Sequence, residues 1–204
     1  MLLTESLQVT STITGQRFYG QLSRSYIDQE PLSVFALPIT HARIWDAFQT
    51  NLTTAASDDL GIATGAFGTG LPTIRGLDLV NGTVTGYARW LFQMPANYVA
   101  LGDVKIRFAA GMVLAAAATS ATVDVEAYLS ARTGLKTGSD LVTTSAISIN
   151  STTFAENLFS VTSNSLSPGS WLDIRATLSA ASTAIAANTY AAIAHAEILC
   201  TTQG

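Results

Sequence analysis

From about residue 84 to the end, apolar residues recur at every second position, and that period restricts the chain to strands that bury one face. In "YARWLFQM" Ala88, Trp90, Phe92 and Met94 share one side, with Arg89 and Gln93 on the other. In "DVKIRFAAGM" Val104, Ile106, Phe108, Ala110 and Met112 alternate with Lys105 and Arg107. In "TVDVEAYL" Val123, Val125, Ala127 and Leu129 alternate with Asp124 and Glu126. The opposite outward charges of these last two strands predict that they lie side by side as antiparallel partners or near neighbours.

Further strands are expected at Ser139 to Ile149, Asn157 to Thr162, Trp171 to Ser179 and Thr189 to Thr201. Loops are expected at Ala131 to Gly138, Asn150 to Glu156 and Asn164 to Ser170, where "SPGS" supplies turn residues. Alanine favours helix, yet the Asp173, Arg175, Thr177 alternation leading into the Ala-rich stretch 176–196 argues for a β-hairpin there. Seven or more strands at short spacing predict an all-β fold, an antiparallel β-sandwich of jelly-roll-like form.

The first 80 residues read differently. Rich in Thr, Ser and Gln, residues 1–57 are expected to form an extended N-terminal arm that pairs with another subunit. Phe18, Tyr19, Tyr26, Phe35, Trp45 and Phe48 are its candidate intersubunit contacts. Residues 58–83 read as a Gly-rich connecting loop and 84–204 as the sandwich. Within that loop "GAFGTGLPTIRG" has the Gly65/Gly70 separation of a phosphate loop, but Leu71 and Pro72 replace its Lys and Ser/Thr. The dinucleotide pattern also fails, with Thr73 in place of the third glycine. The glycines are therefore read as conformational freedom at a junction.

Only 12% of the 204 residues are charged, about half the usual share, while 48% are hydrophobic and mean hydropathy is +0.33. A surface so poor in charge predicts burial against other subunits, hence a homo-oligomer. The longest apolar run, Phe108 to Ala118, is too short for a membrane helix, so no membrane partner is expected. A net charge of -4 with scattered Lys and Arg predicts no nucleic-acid partner. The N-terminus lacks the basic flank and apolar core of an export signal, and the three Asn-X-Thr sequons are accordingly read as incidental.

Candidate chemistry is sparse, and neither an enzyme nor a cofactor is expected. His41 and His195 have no carboxylate at triad or metal spacing, and His195, inside an apolar alternation, reads as a packed strand residue. Cys200 reads as a buried small hydrophobe. Asp58 and Asp59 could offer calcium two oxygen ligands, against the simpler reading of a solvated turn. Tyr87, Trp90 and Tyr98 could form a platform for sugar, though the alternation turns Trp90 inward.

The segments "TGYARWLFQMPANYV", "ATVDVEAY", "INSTTFAENLFSVT" and "LSPGSWLDIRATL" resemble small β-sandwich virion proteins of tailed bacteriophages, of the capsid decoration or cement kind. The resemblance covers about residues 55 to 202 and is one of pattern. It implies a non-enzymatic trimer on the surface of the phage particle, clamping neighbouring major capsid subunits, and it assigns no functional residue. A tail or head-fibre component, or a calcium-dependent carbohydrate-binding sandwich, are the alternatives.

Overall fold

The structure, a computed structural model, describes residues 32–203 except 64, 66, 69, 71, 80, 115–117, 131, 132, 134, 135, 164 and 184–188, with side chains also omitted at 118, 119 and 137. Phe18, Tyr19 and Tyr26 lie outside the described residues.

The expected alternation appears directly as burial. In β4 (Gly82–Gln93) Ala88 and Trp90 are buried; in β5 (Val104–Val113) so are Val104, Ile106, Phe108, Ala110 and Met112. In β6 (Ala118–Ser130) Val123, Val125 and Ala127 are buried. β9 (Ala155–Val161) and β11 (Tyr190–Thr201) bury Phe159 and Ile198. β10 (Trp171–Ser182) buries Leu172, Ile174, Ala176, Leu178 and Ala180. Its alanines stay in a strand because hydroxyl and charged residues alternate with Leu172, Ile174, Ala176, Leu178 and Ala180, so only period two puts these five side chains inside together. Each fully buried Leu, Ile or Phe contributes about 1.5–3 kcal/mol over an exposed one, which outweighs alanine's helical preference of a few tenths per residue.

Two antiparallel sheets enclose this core. One has the order β2–β3–β11–β5–β9, where β2 is Gly61–Ala63 and β3 is Thr73–Arg75; β1 (Leu32–Ala36) also pairs with β11. β1 takes Glu197 to Thr201 and β3 takes Ala192 and Ile193, so the two share one edge of β11 end to end. The other sheet runs β4–β10–β6–β7, with β7 (Lys136–Thr137) and β8 (Ile147–Ser148) sharing the outer edge of β6.

Setting aside the short β2, which pairs only with β3, and counting β1 with β3, and β7 with β8, as single positions leaves eight in chain order. They pair first with eighth, second with seventh, third with sixth and fourth with fifth. That is a long antiparallel ribbon rolled into two sheets, the jelly roll. Trp90 of one sheet meets Phe108 of the other, ring centroids 6.1 Å apart, and Phe108 meets Phe159 at the same separation. Trp90 Nε1 donates to Pro38 O at 3.2 Å, satisfying the one polar atom this side chain takes into the core.

Several expectations are corrected. β5 and β6 are in different sheets; both bury their apolar faces in one core from opposite sides, so their outward charges point apart. Arg107 instead reaches Glu197 and Glu156. β10 and β11 also belong to different sheets, so the two strands that share the Ala-rich stretch do not pair as a hairpin. The strand expected at Ser139 to Ile149 shrinks to β8 and a bridge at Val142, because Asp140 Oδ1 accepts the N–H groups of Ala127 and Val142 and holds a loop. Residues Lys136 and Thr137, expected in a loop, form β7.

The segment 32–63 belongs with the sandwich, whose unit spans Pro31–Gly204. Leu37, Ala42, Leu52 and Leu60 are part of the core. The glycine-rich stretch joins β2 to β3, which pair Gly61 to Arg75, Ile62 to Ile74 and Ala63 to Thr73. It is thus the tip of a β-hairpin and not a junction between arm and sandwich. Gly68 there has φ of +83°, a conformation glycine adopts at no steric cost. No helix of the described residues is long and apolar enough to cross a membrane.

Candidate functional site

The residues that alternate away from the core on β4, β10 and β6 form two cross-strand rows, Leu91–Asp173–Tyr128 and Arg89–Arg175–Glu126. Arg89 and Arg175 stand directly opposite each other, an arrangement that is unfavourable unless each charge is drawn elsewhere. Arg89 turns diagonally onto Asp173, donating from Nε to Oδ1 at 2.6 Å and from Nη2 to Oδ2 at 2.5 Å. Arg175 donates from Nη2 to Glu126 Oε2. The hydrogen bond to Asp173, offset by partial burial, holds the Arg89 guanidinium above its ordinary pKa.

One wall of the site is the segment after the 3-10 turn Ile39–His41. Arg43 exchanges backbone hydrogen bonds with Arg89, N to O at 2.9 and 3.1 Å, which lays this segment against the β4 edge. It places Phe48 5.0 Å from the Arg89 guanidinium carbon and Trp45 5.4 Å from that of Arg175. Arg175 also lies 4.9 Å over the Tyr87 ring, which packs on Trp45 at 5.1 Å. At the opposite wall, Lys136 Nζ sits 3.1 Å above the Tyr128 ring centroid. Between the walls is a groove of about 570 Å³.

Its lining holds three basic side chains, Arg89, Lys136 and Arg175, and three acidic ones, Asp46, Glu126 and Asp173. Side-chain exposures of 33% and 15% for Arg89 and Asp173, and 34% and 27% for Arg175 and Glu126, leave both ion pairs reachable from solvent. Chemically this is a rigid, charge-balanced set of donors and acceptors flanked by aromatic rings.

Of the candidate contacts read from sequence, Trp45 and Phe48 form a groove wall, half-buried within the chain. Phe35 packs on Phe92 at 6.1 Å and against the core. Trp90 and Tyr98 are buried, so of the three aromatics considered for a sugar platform only Tyr87 faces outward.

Asp58 is exposed in a turn, with Asp59 beside it half-buried. Burial first, then the Asp58 and Asp46 carboxylates, push the Asp59 carboxyl above its ordinary value. Among the described residues no three His, Cys, Asp or Glu side chains converge as a metal ligand set. His41 and His195 are both exposed. For His195 that corrects the packed reading: the pairing of β11 with β5 shifts between Ile193 and His195, so the extra residue Ala194 reverses which face His195 takes. Cys200 is fully buried, and burial pushes its thiol up to about 11.

Sequence reasoning did not assemble Arg89, Glu126, Tyr128, Asp173 and Arg175 into a site. The signal available was their common outward parity on three strands. No protein-family model matches the chain, and no characterised protein matches it.

Proposed function

We propose that the chain is a non-enzymatic structural subunit of a phage particle, a decoration or cement protein that bridges neighbouring capsid subunits as a homotrimer. The observation that carries this reading is the jelly-roll strand order, an architecture that viral shells use repeatedly. The surface supports it. Val34 on β1 and Leu158 on β9 are 51% and 44% exposed on strands, and Leu91 and Trp171 are exposed on the other sheet. Burial of such surface between subunits contributes about 25 cal/mol per Å² of apolar area, before the entropy of association is subtracted.

Electron microscopy of particles that carry the chain tests the proposal. The expected result is jelly-roll density in threefold groups on the head surface; density confined to the tail, or absence of the chain from particles, would refute it. Light scattering of the purified chain is the simpler measurement, and a stable monomer at micromolar concentration would count against a trimeric cement.

A further inference from the structure

We propose that the groove over β4, β10 and β6 binds a short neutral saccharide, without calcium. The inference goes beyond the structural role above and stands independently of it. A volume of about 570 Å³ lies in the range of small-molecule sites. The balance of three basic and three acidic side chains offers no net attraction to an ion of either sign. What it offers is adjacent donors and acceptors. A sugar hydroxyl both donates and accepts, so neighbouring hydroxyls can bridge a guanidinium and a carboxylate at once.

The polar groups are already oriented. Asp173 is held by two bonds from Arg89, and Glu126 accepts from Arg175 and, at Oε1, from the Tyr128 hydroxyl at 3.2 Å. Each Asp173 oxygen accepts one of these bonds and retains capacity for another. Fixing these side chains before binding lowers the entropic cost of ordering them. The apolar face of a sugar ring requires a flat partner, and the Tyr128 ring on the groove wall supplies one where Lys136 now rests. Ligand and Lys136 therefore compete for the same ring.

The test is titration of the full chain with maltose, cellobiose and lactose at millimolar concentration, read by saturation-transfer NMR and calorimetry. At least one is expected to bind, with or without a calcium chelator. Tyr128→Ala is expected to weaken binding about two- to tenfold. Lys136→Ala is expected to strengthen it about two- to fivefold by freeing the ring. Ser130→Trp, which fills the groove from its rim and suits a strand, is expected to abolish it; its circular dichroism reports that the sandwich is intact. Binding by none of the three sugars overturns the proposal. So does binding that survives both Tyr128→Ala and Ser130→Trp, or that weakens steeply with added salt.

Discussion

Arg89 and Asp173 form a two-point ion pair across β4 and β10, at 2.6 and 2.5 Å, while the residue directly opposite Arg89 is another arginine, Arg175. Replacing Asp173 by Ala leaves two guanidinium groups facing each other. Because Arg89 is a third exposed, solvent screens part of the effect, and the expected loss is about 1–2 kcal/mol. Urea denaturation measures it, and an unchanged midpoint would show that the pair adds nothing to stability.

Glycines along the β2–β3 hairpin are expected to differ sharply in tolerance. A Cβ on Gly61 would overlap the backbone of Ala55, which cannot move aside as a side-chain tip could, so Gly61→Ala should cost about 3 kcal/mol. Gly68→Ala meets open space but keeps a left-handed φ, for a cost of about 1 kcal/mol. Gly70→Ala makes only an ordinary contact with Gly65 at 3.5 Å and should be near neutral. Thermal midpoints of the three variants would establish or break this order.

Asp59 makes stability depend on acidity in an unusual direction. Its carboxyl has a folded-state pKa above the ordinary 3.8, so the folded chain holds this proton more tightly than the unfolded one. Its contribution therefore rises as pH falls from the folded pKa towards 3.8, and ionisation at neutral pH is a penalty. Asp59→Asn should stabilise the chain at neutral pH by on the order of 0.5 kcal/mol, with the two curves converging in acid. Parallel melting curves across that range would contradict the assignment.

The Cys200 thiol, fully buried and raised to about 11, should not react with a thiol reagent at mildly alkaline pH while the chain is folded. Labelling is expected to track unfolding and to accelerate with denaturant. Cys200→Ser, which buries a hydroxyl between β1 and β5, should cost about 1–3 kcal/mol. Rapid labelling of the native chain would mean that β11 opens locally.

Phe108 touches both Trp90 and Phe159 at the centre of the core. Phe108→Ala should cost about 3–5 kcal/mol, and the outward Lys105→Ala, three residues away on the same strand, close to nothing. Chemical denaturation of the two variants distinguishes core from surface on β5.

The longer strands were legible because alternation over seven or more residues is a local pattern that burial on one face enforces. β1, β2, β3, β7 and β8 span only two to five residues, too few alternations to stand out from polar loops. For that reason Leu32 to Ser57 read as part of an arm and Asp58 to Ala63 as part of a connecting loop, although they contribute Leu37, Leu52 and Leu60 to the core. His195 was misread for a different reason, since one inserted residue changes facing without changing composition.

By itself, then, the sequence determined the all-β class and the inward face of each long strand, because side-chain direction in a strand follows from position alone. Only the tertiary structure decided which strands are neighbours. It set Arg107 against Glu197 and not Asp124, and it brought Arg89, Asp173, Arg175 and Glu126 under Trp45 and Tyr128. Strand pairing in a jelly roll joins the first position to the last, and such contacts are settled by how the whole core packs, which no local stretch of sequence encodes.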